Sequence, residues 1–141
     1  MQGRKANSSE PSAAVDTRGL PVGTWQVKVI FQEGPQKGQT EECVVVFAPD
    51  HTFLILTPGP GTGTWQCAVL NAISFSFTEL INYQAEGTCT GYVLVTQQGS
   101  LSEDGNSFTT SGQGVVYNTD GTHIATSKTT TQATRVSQRR L

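Results

Sequence analysis

The sequence has few charged residues, no long apolar run and no paired-cysteine motif. Charged residues make up 14% of the 141 positions and the formal net charge is -2, so no basic surface favours nucleic acid as a partner. No apolar stretch approaches the roughly 20 residues of a membrane-spanning helix. The first 19 residues contain no hydrophobic segment of the kind found in secretion signals. We therefore expect a cytoplasmic protein that contacts neither nucleic acid nor membrane.

The residues that usually hold metals are few and scattered. Cys43, Cys67 and Cys89 are too far apart for a Cys-x-x-Cys knuckle. Each falls in a predicted strand, which is typical of free thiols in a reducing compartment, with one disulfide and a leftover thiol as the alternative. His51 and His123 fall in or beside predicted turns. We expect no metal and no cofactor.

Motifs for nucleophilic or phosphate chemistry are also missing. There is no Gly-x-Ser-x-Gly elbow, no His-Glu-x-x-His and no phosphate-binding glycine loop followed by a helix. Glu79 and Glu86 flank a loop, and such a carboxylate pair supports acid–base chemistry when burial raises one pKa. Two solvated carboxylates at a strand end are the simpler interpretation, and the same applies to Glu41 and Glu42.

Short segments that alternate apolar and polar residues fill the chain instead. In the first, Trp25, Val27, Val29 and Phe31 share one face. Turn signals such as Asp120-Gly121 separate successive segments and predict hairpins. The pattern predicts an all-β, eight-stranded antiparallel up-and-down barrel, with a two-sheet sandwich as the alternative. The predicted strands cover 24–32, 42–48, 52–56, 63–70, 73–80, 85–97, 107–118 and 122–136.

The polar residues 1–19 predict a flexible tail, or a lid over the barrel opening, and residues 20–141 predict a single barrel domain. The hairpin over 42–56 is apolar on both faces. An apolar outer face is typical of a covered surface, so we consider a homodimer possible.

Gly23-Thr24-Trp25 together with Arg135 resembles the lipocalin and calycin superfamily, in which a Gly-x-Trp start and a late arginine close the barrel base. Gly63-Thr64-Trp65, the segment 73–77 and Asp120-Gly121 are similar to small bacterial members of that superfamily. By size, tail and compartment, the chain most resembles stand-alone polyketide cyclases of the spirotetramate and spirotetronate type. The resemblance implies a lipocalin-like barrel that takes up a hydrophobic small molecule, and a [4+2] cyclase (Diels-Alderase) without cofactor.

Aromatic residues on separate strands, with one or two amides or hydroxyls, give the candidate binding wall for a hydrophobic, carbonyl-bearing small molecule. The expected substrate-binding residues are Val27, Val29, Trp65, Phe75, Phe77 and Tyr92. Gln113 and Tyr117 share a strand face, and we expect them to act as catalytic hydrogen-bond donors to a conjugated carbonyl of the substrate. A pericyclic cyclase needs no proton shuttle, since it accelerates the reaction by holding a flexible polyene in its reactive conformation.

Two other functions fit the same pattern. A non-catalytic carrier or sensor of a lipophilic metabolite needs the same aromatic wall. A structural or oligomerisation module would fill its interior with those side chains and bind nothing.

Overall fold

A computed structural model describes residues 20–57, 60–68, 71–82 and 87–136. In this part of the chain, consecutive strands pair antiparallel and the last strand pairs with the first, which closes a barrel and confirms the predicted fold class. The strands are Gly23–Glu33 (β1), Thr40–Phe47 (β2), Thr52–Thr57 (β3), Gly61–Cys67 (β4), Ala72–Ile81 (β5), Gly91–Leu101 (β6), Ser107–Asn118 (β7) and His123–Arg135 (β8).

The boundaries of β6 differ most from the prediction. This strand begins at Gly91 rather than residue 85 and continues to Leu101 rather than residue 97. The polar run Gln97–Ser100 breaks the apolar alternation, but the Gln97 side chain turns inward and is buried. The predicted tail or lid at 1–19 lies outside the described residues, as do residues 83–86 and 137–141.

The barrel has two different ends, which we call the base and the mouth. The base holds the start of β1 and the end of β8, and the mouth holds the opposite ends of those strands. The described loop residues are 48–51, 68, 71 and 102–106 at the base, and 34–39, 60, 82, 87–90 and 119–122 at the mouth.

Trp25 and Arg135 close the base, as the resemblance implied. The Trp25 indole is fully buried and donates a hydrogen bond of 2.7 Å to the Pro21 carbonyl. The guanidinium carbon of Arg135 lies 4.5 Å from the indole centroid. Its nitrogens donate to the carbonyls of Leu20, Val22 and Gly105. A charged group thus satisfies three backbone acceptors at once, which fixes the chain before β1 to the end of β8.

Gly23 is required at this closure. Its φ of 133° is open to glycine but strained for other residues, and a Cβ here would lie 2.8 Å from an Arg135 nitrogen. The Gly-x-Trp motif therefore has a steric cause as well as an aromatic one.

Interlocked aromatic rings fill the base half of the interior. Phe47 is fully buried, and its ring centroid lies 4.9 Å from that of Phe53 and 5.7 Å from that of Phe108, both edge-on. Phe53 stacks on Phe75 at 4.7 Å. Such offset and edge-on pairs add to the energy of simple burial. This half of the barrel is a solid core.

The outer face of β2 and β3 carries apolar side chains. Leu56 is 53% exposed, and Val44, Val46 and Leu54 are half-buried. The predicted apolar outer face of this hairpin is thus present. None of the described residues forms a helix long and apolar enough to cross a membrane.

Candidate functional site

The inward-facing apolar side chains of the mouth half are only half-buried, although they belong to the same strands as the core. We call the space they line the mouth pocket. Its wall is apolar and comes from four strands: Val29, Phe31, Phe77, Val93, Val95 and Val116. Inward-facing core residues of the base are at most 6% exposed. Solvent therefore enters the barrel from the mouth and stops at the aromatic core.

A carboxyl group lies at the rim of this pocket. Glu79 continues the inward face of Phe75 and Phe77 on β5 and is half-buried. Its register partner on β4 is Gly61, which has no side chain to separate it from the residues of β2. Burial, together with the negative charge of Glu41, raises the pKa of Glu79 to about 7. Glu79 is therefore largely a neutral acid below neutral pH.

Cys43 on β2 shares this environment. Burial, and then the negative charges of Glu79, Glu41 and Glu42, raise its pKa to about 12. The thiol stays protonated at physiological pH, so it is a poor nucleophile. Cys43, Cys67 and Cys89 are half-buried, and none of them forms a disulfide.

The sequence paired Glu79 with Glu86, but the structure pairs it with Glu41 through β3 and β4. Residue 86 lies outside the described residues. Two strands, β3 and β4, lie between β2 and β5, and β4 has glycine at its inward positions 61 and 63. No spacing in the sequence indicates this pairing.

A second polar group lies deeper, on β6, β7 and β8. Gln97 is 4% exposed and its Nε2 donates to the Thr129 hydroxyl at 2.7 Å. The Thr110 hydroxyl donates to Gln97 Oε1 at 2.8 Å and also contacts the Thr131 hydroxyl. These side chains face the aromatic rings across the interior, which therefore has an aromatic side and a hydroxyl side.

Gly112 makes this group possible. Register places Gly112 between Gln97 on β6 and Thr129 on β8. Because β7 has no side chain at this point, the Gln97 amide reaches across β7 to the Thr129 hydroxyl. A Cβ at position 112 would lie 1.8 Å from the Thr96 carbonyl oxygen, so no larger residue fits.

Sequence analysis missed this group, although one signal was available. Both faces of β8 are polar, so its alternation gives no direction. Arg135, however, was predicted to face Trp25 at the base, and Ala133, Thr131 and Thr129 share its parity. Following that parity along β8 would have placed the threonines inside.

The structure separates the predicted substrate-binding residues into different places. Val29 and Phe77 line the mouth pocket. Val27, Trp65 and Phe75 are 3%, 3% and 6% exposed and belong to the core. The Trp65 indole donates to the Ala48 carbonyl and stacks on His51, with 4.5 Å between ring centroids, at the base. A ligand in the mouth pocket would therefore contact those predicted residues that lie nearest the mouth and not those in the core.

The expectation that Tyr92, Gln113 and Tyr117 face the interior is wrong. Gln113 pairs with Thr96, and the neighbouring pair is Gln97 with Gly112. Because Gln97 faces inward and successive residues alternate, the Gln113 side chain points outward, and it is exposed. Tyr92 and Tyr117 are register partners on the outer face and stack with ring centroids 5.3 Å apart. The period-2 pattern of β7 gave two faces but not which one was inside. Their catalytic and binding roles stay predictions, and nothing below depends on them.

The outer face also has a shallow depression of about 370 Å³ on β4 to β7. Serine, threonine and glutamine side chains line most of it. It has no ionisable residue in its lining.

Among the described residues, no three His, Cys, Asp or Glu side chains lie close enough to hold a metal ion. Comparison with protein-family models and with curated proteins finds no match for this chain. The closed eight-stranded antiparallel barrel is consistent with a calycin or lipocalin-like fold, and its buried aromatic cluster is compatible with small-molecule binding.

Proposed function

We propose that this protein binds a hydrophobic small molecule in the mouth pocket. The observation that supports this most is the change in burial along single strands. On β1, Trp25 and Val27 are buried, whereas Val29 and Phe31 are half-buried although they face the same way. Apolar side chains that line an open concave space are the usual wall of a ligand site.

The ligand we propose is uncharged. A ligand that fills the pocket also removes water from Glu79, which favours the protonated carboxyl. An apolar ligand should therefore bind more tightly at pH 6 than at pH 8, since Glu79 titrates at about pH 7. An anionic ligand would in addition be repelled by Glu41 and Glu42.

The test uses a fluorescent ketone, 6-propionyl-2-(dimethylamino)naphthalene, and two matched variants. Val95→Trp fills the mouth pocket, since Val95 lies on its wall beside Gly114. Leu94→Trp is the control, because Leu94 is the next residue on β6, faces outward and is 42% exposed. We expect wild type and Leu94→Trp to bind the probe alike, and Val95→Trp to bind at least about tenfold more weakly. Absence of binding to wild type, or equal binding by both variants, would refute the proposal.

The finer proposal is a cyclase that catalyses a [4+2] cycloaddition in polyketide biosynthesis. It is supported by the resemblance and by the shape of the pocket, which would hold a flexible polyene folded. Preorganisation of this kind supplies up to about 7–11 kcal/mol of the barrier. Incubation with a linear polyene that bears a tetramate or tetronate, followed by mass spectrometry and NMR, distinguishes the options. A cyclase gives an isomeric ring product above the spontaneous rate, whereas a carrier returns the polyene unchanged.

We also propose that the protein is cytoplasmic and that the outer face of β2 and β3 forms a homodimer. The exposed Leu56 beside Val44, Val46 and Leu54 supports the second point. Sedimentation of wild type and of Leu56→Lys tests it: a dimer that Leu56→Lys converts to monomer supports this interface, and a monomeric wild type excludes it.

A further inference from the structure

We propose that Gln97 and Thr129 form a carbonyl-binding subsite at the floor of the mouth pocket. The subsite would take an uncharged ketone, ester or amide oxygen and would discriminate against a hydrocarbon of the same shape. This inference rests on the proposed function, because it needs a ligand in the pocket, and it assigns the polar contact that this ligand makes.

The first step is the direction of the hydrogen bonds around Thr110. Its hydroxyl has one proton, which it donates to Gln97 Oε1, an atom that can only accept. In its contact with Thr131, Thr110 must then be the acceptor, so the Thr131 hydroxyl donates. Every proton on this side of the network is used.

Two hydrogen-bond donors of Gln97 and Thr129 remain unused. The Gln97 amide has two N–H groups and uses one on the Thr129 hydroxyl. Thr129 accepts this bond, so its own hydroxyl proton is still available. Among the described residues, neither that proton nor the second amide proton of Gln97 has a hydrogen-bond acceptor. The network therefore ends in two neighbouring donors.

The third step is the burial of these donors. Gln97 is 4% exposed and Thr129 is 7% exposed, so bulk water does not compensate them fully. Buried donors without acceptors are rare in folded proteins, and one explanation is a missing ligand. Ser127, two residues nearer the mouth on the same face, is also 7% exposed and makes no side-chain hydrogen bond to any described residue.

The two donors also lie next to residues that line the mouth pocket or the top of the aromatic core. Thr129 is the register partner of Phe31, which lines the mouth pocket. Gln97 is the register partner of Phe75 at the upper edge of the aromatic core. A flat apolar ligand that rests on Phe75 and Phe77 would thus bring a carbonyl at its inner end to the two donors. A hydrocarbon end would leave both donors unpaired, which is the kind of mismatch on which polar sites discriminate.

The experiment compares two probes and two variants. The probes are 6-propionyl-2-(dimethylamino)naphthalene and 2-(dimethylamino)naphthalene, which lacks the carbonyl. Thr129→Val removes the hydroxyl at nearly constant shape, and Thr129→Ser keeps it. We expect Thr129→Val to weaken the ketone by about 2- to 12-fold, the range of one hydrogen bond, and to move its emission to shorter wavelength. Thr129→Ser should restore both, and the carbonyl-free probe should bind all three proteins alike.

The outcomes separate this subsite from the pocket. If neither probe binds the wild type, the proposed function itself fails. If both probes bind but Thr129→Val changes neither the affinity nor the emission of the ketone, the pocket stands and the subsite is wrong.

Should Thr129→Val not fold, the wild-type complex still decides the question. The infrared band of the carbon-13-labelled ketone is compared with the same band in hydrocarbon solvent. A shift to lower frequency, as expected for a hydrogen-bonded carbonyl, supports the subsite, and an unshifted band overturns it.

Discussion

The base and the mouth of this barrel are built from the same eight strands, but they differ in almost every physical property. At the base, rings contact rings and Arg135 holds three backbone carbonyls. At the mouth, the inward side chains are smaller, reached by water, and mixed with a carboxyl and a thiol. The sequence along each strand changes between the two halves, and near the mouth the pairing register also shifts, between Phe31 and Glu33 on β1 and between Val116 and Tyr117 on β7.

This difference indicates a division of labour between stability and binding. A barrel that is closed and filled at one end is stable without help from the other. The mouth half can then keep groups that do not favour folding, such as the half-buried Glu79 and the unpaired donors at Thr129 and Gln97. Groups of that kind are typical of functional sites rather than of cores.

The largest expected effect compares one phenylalanine from each half. Phe47→Ala opens a cavity in the packed base and should lower the free energy of unfolding by about 3–5 kcal/mol. Phe31→Ala removes a half-buried ring at the mouth, where water already enters, and should cost less than about half of that. Urea unfolding followed by circular dichroism measures both. Equal losses would show that the mouth is packed as tightly as the base, and the distinction would fail.

The base was the part of the fold that the sequence predicted well. Gly23 and Trp25 with Arg135 form a motif with one geometric solution, and the alternation after Trp25 predicted the inward face of β1. The strands and their order followed from turns such as Asp120-Gly121 and short connections. Local patterns decide the strands and turns, whereas the contact between Trp25 and Arg135 was expected from the resemblance.

The mouth could not be predicted in the same way. The effect of Glu41 on Glu79 acts across β3 and β4, and the bond from Gln97 to Thr129 needs Gly112 between them. On β7 and β8 both faces are polar, so the alternation did not show that Gln113 faces outward. Only the alternation of β8, followed from the inward-facing Arg135, would have shown which faces of these strands lie inside the barrel.

The next prediction concerns the pH dependence of the mouth. The pKa of Glu79 is about 7 in the folded protein, whereas the ordinary pKa of a glutamate is 4.5. The wild type should therefore lose stability as pH rises from about 4.5 to 7, because the unfolded chain releases this proton earlier. Glu79→Gln has no carboxyl to ionise and does not lose this stability. At pH 8 its free energy of unfolding should therefore exceed that of wild type by about 1–2 kcal/mol, a value reduced because water partly screens the half-buried group. At pH 4 the two should be equally stable.

Chemical unfolding at pH 4, 6 and 8 measures this difference. Glu103→Gln is the matched control, since Glu103 is exposed in the loop between β6 and β7. It should follow the wild type at every pH. A stability difference between Glu79→Gln and wild type that does not change with pH would mean that Glu79 is as solvated as Glu103, and the contrast between the two halves would lose its electrostatic part.

The smallest expected effect is the influence of Glu79 on the Cys43 thiol. In a background where Cys67 and Cys89 are serine, iodoacetamide should modify Cys43 slowly at pH 8.5, because burial holds its pKa near 12. Glu79→Gln removes one of the nearby negative charges, which rank below burial among the causes. The reaction should therefore accelerate only about two- to threefold, in line with a partly screened charge. If the rate rose far more, opening of the mouth rather than charge would control the thiol, and an unchanged rate would place Glu79 too far from Cys43 to form one rim.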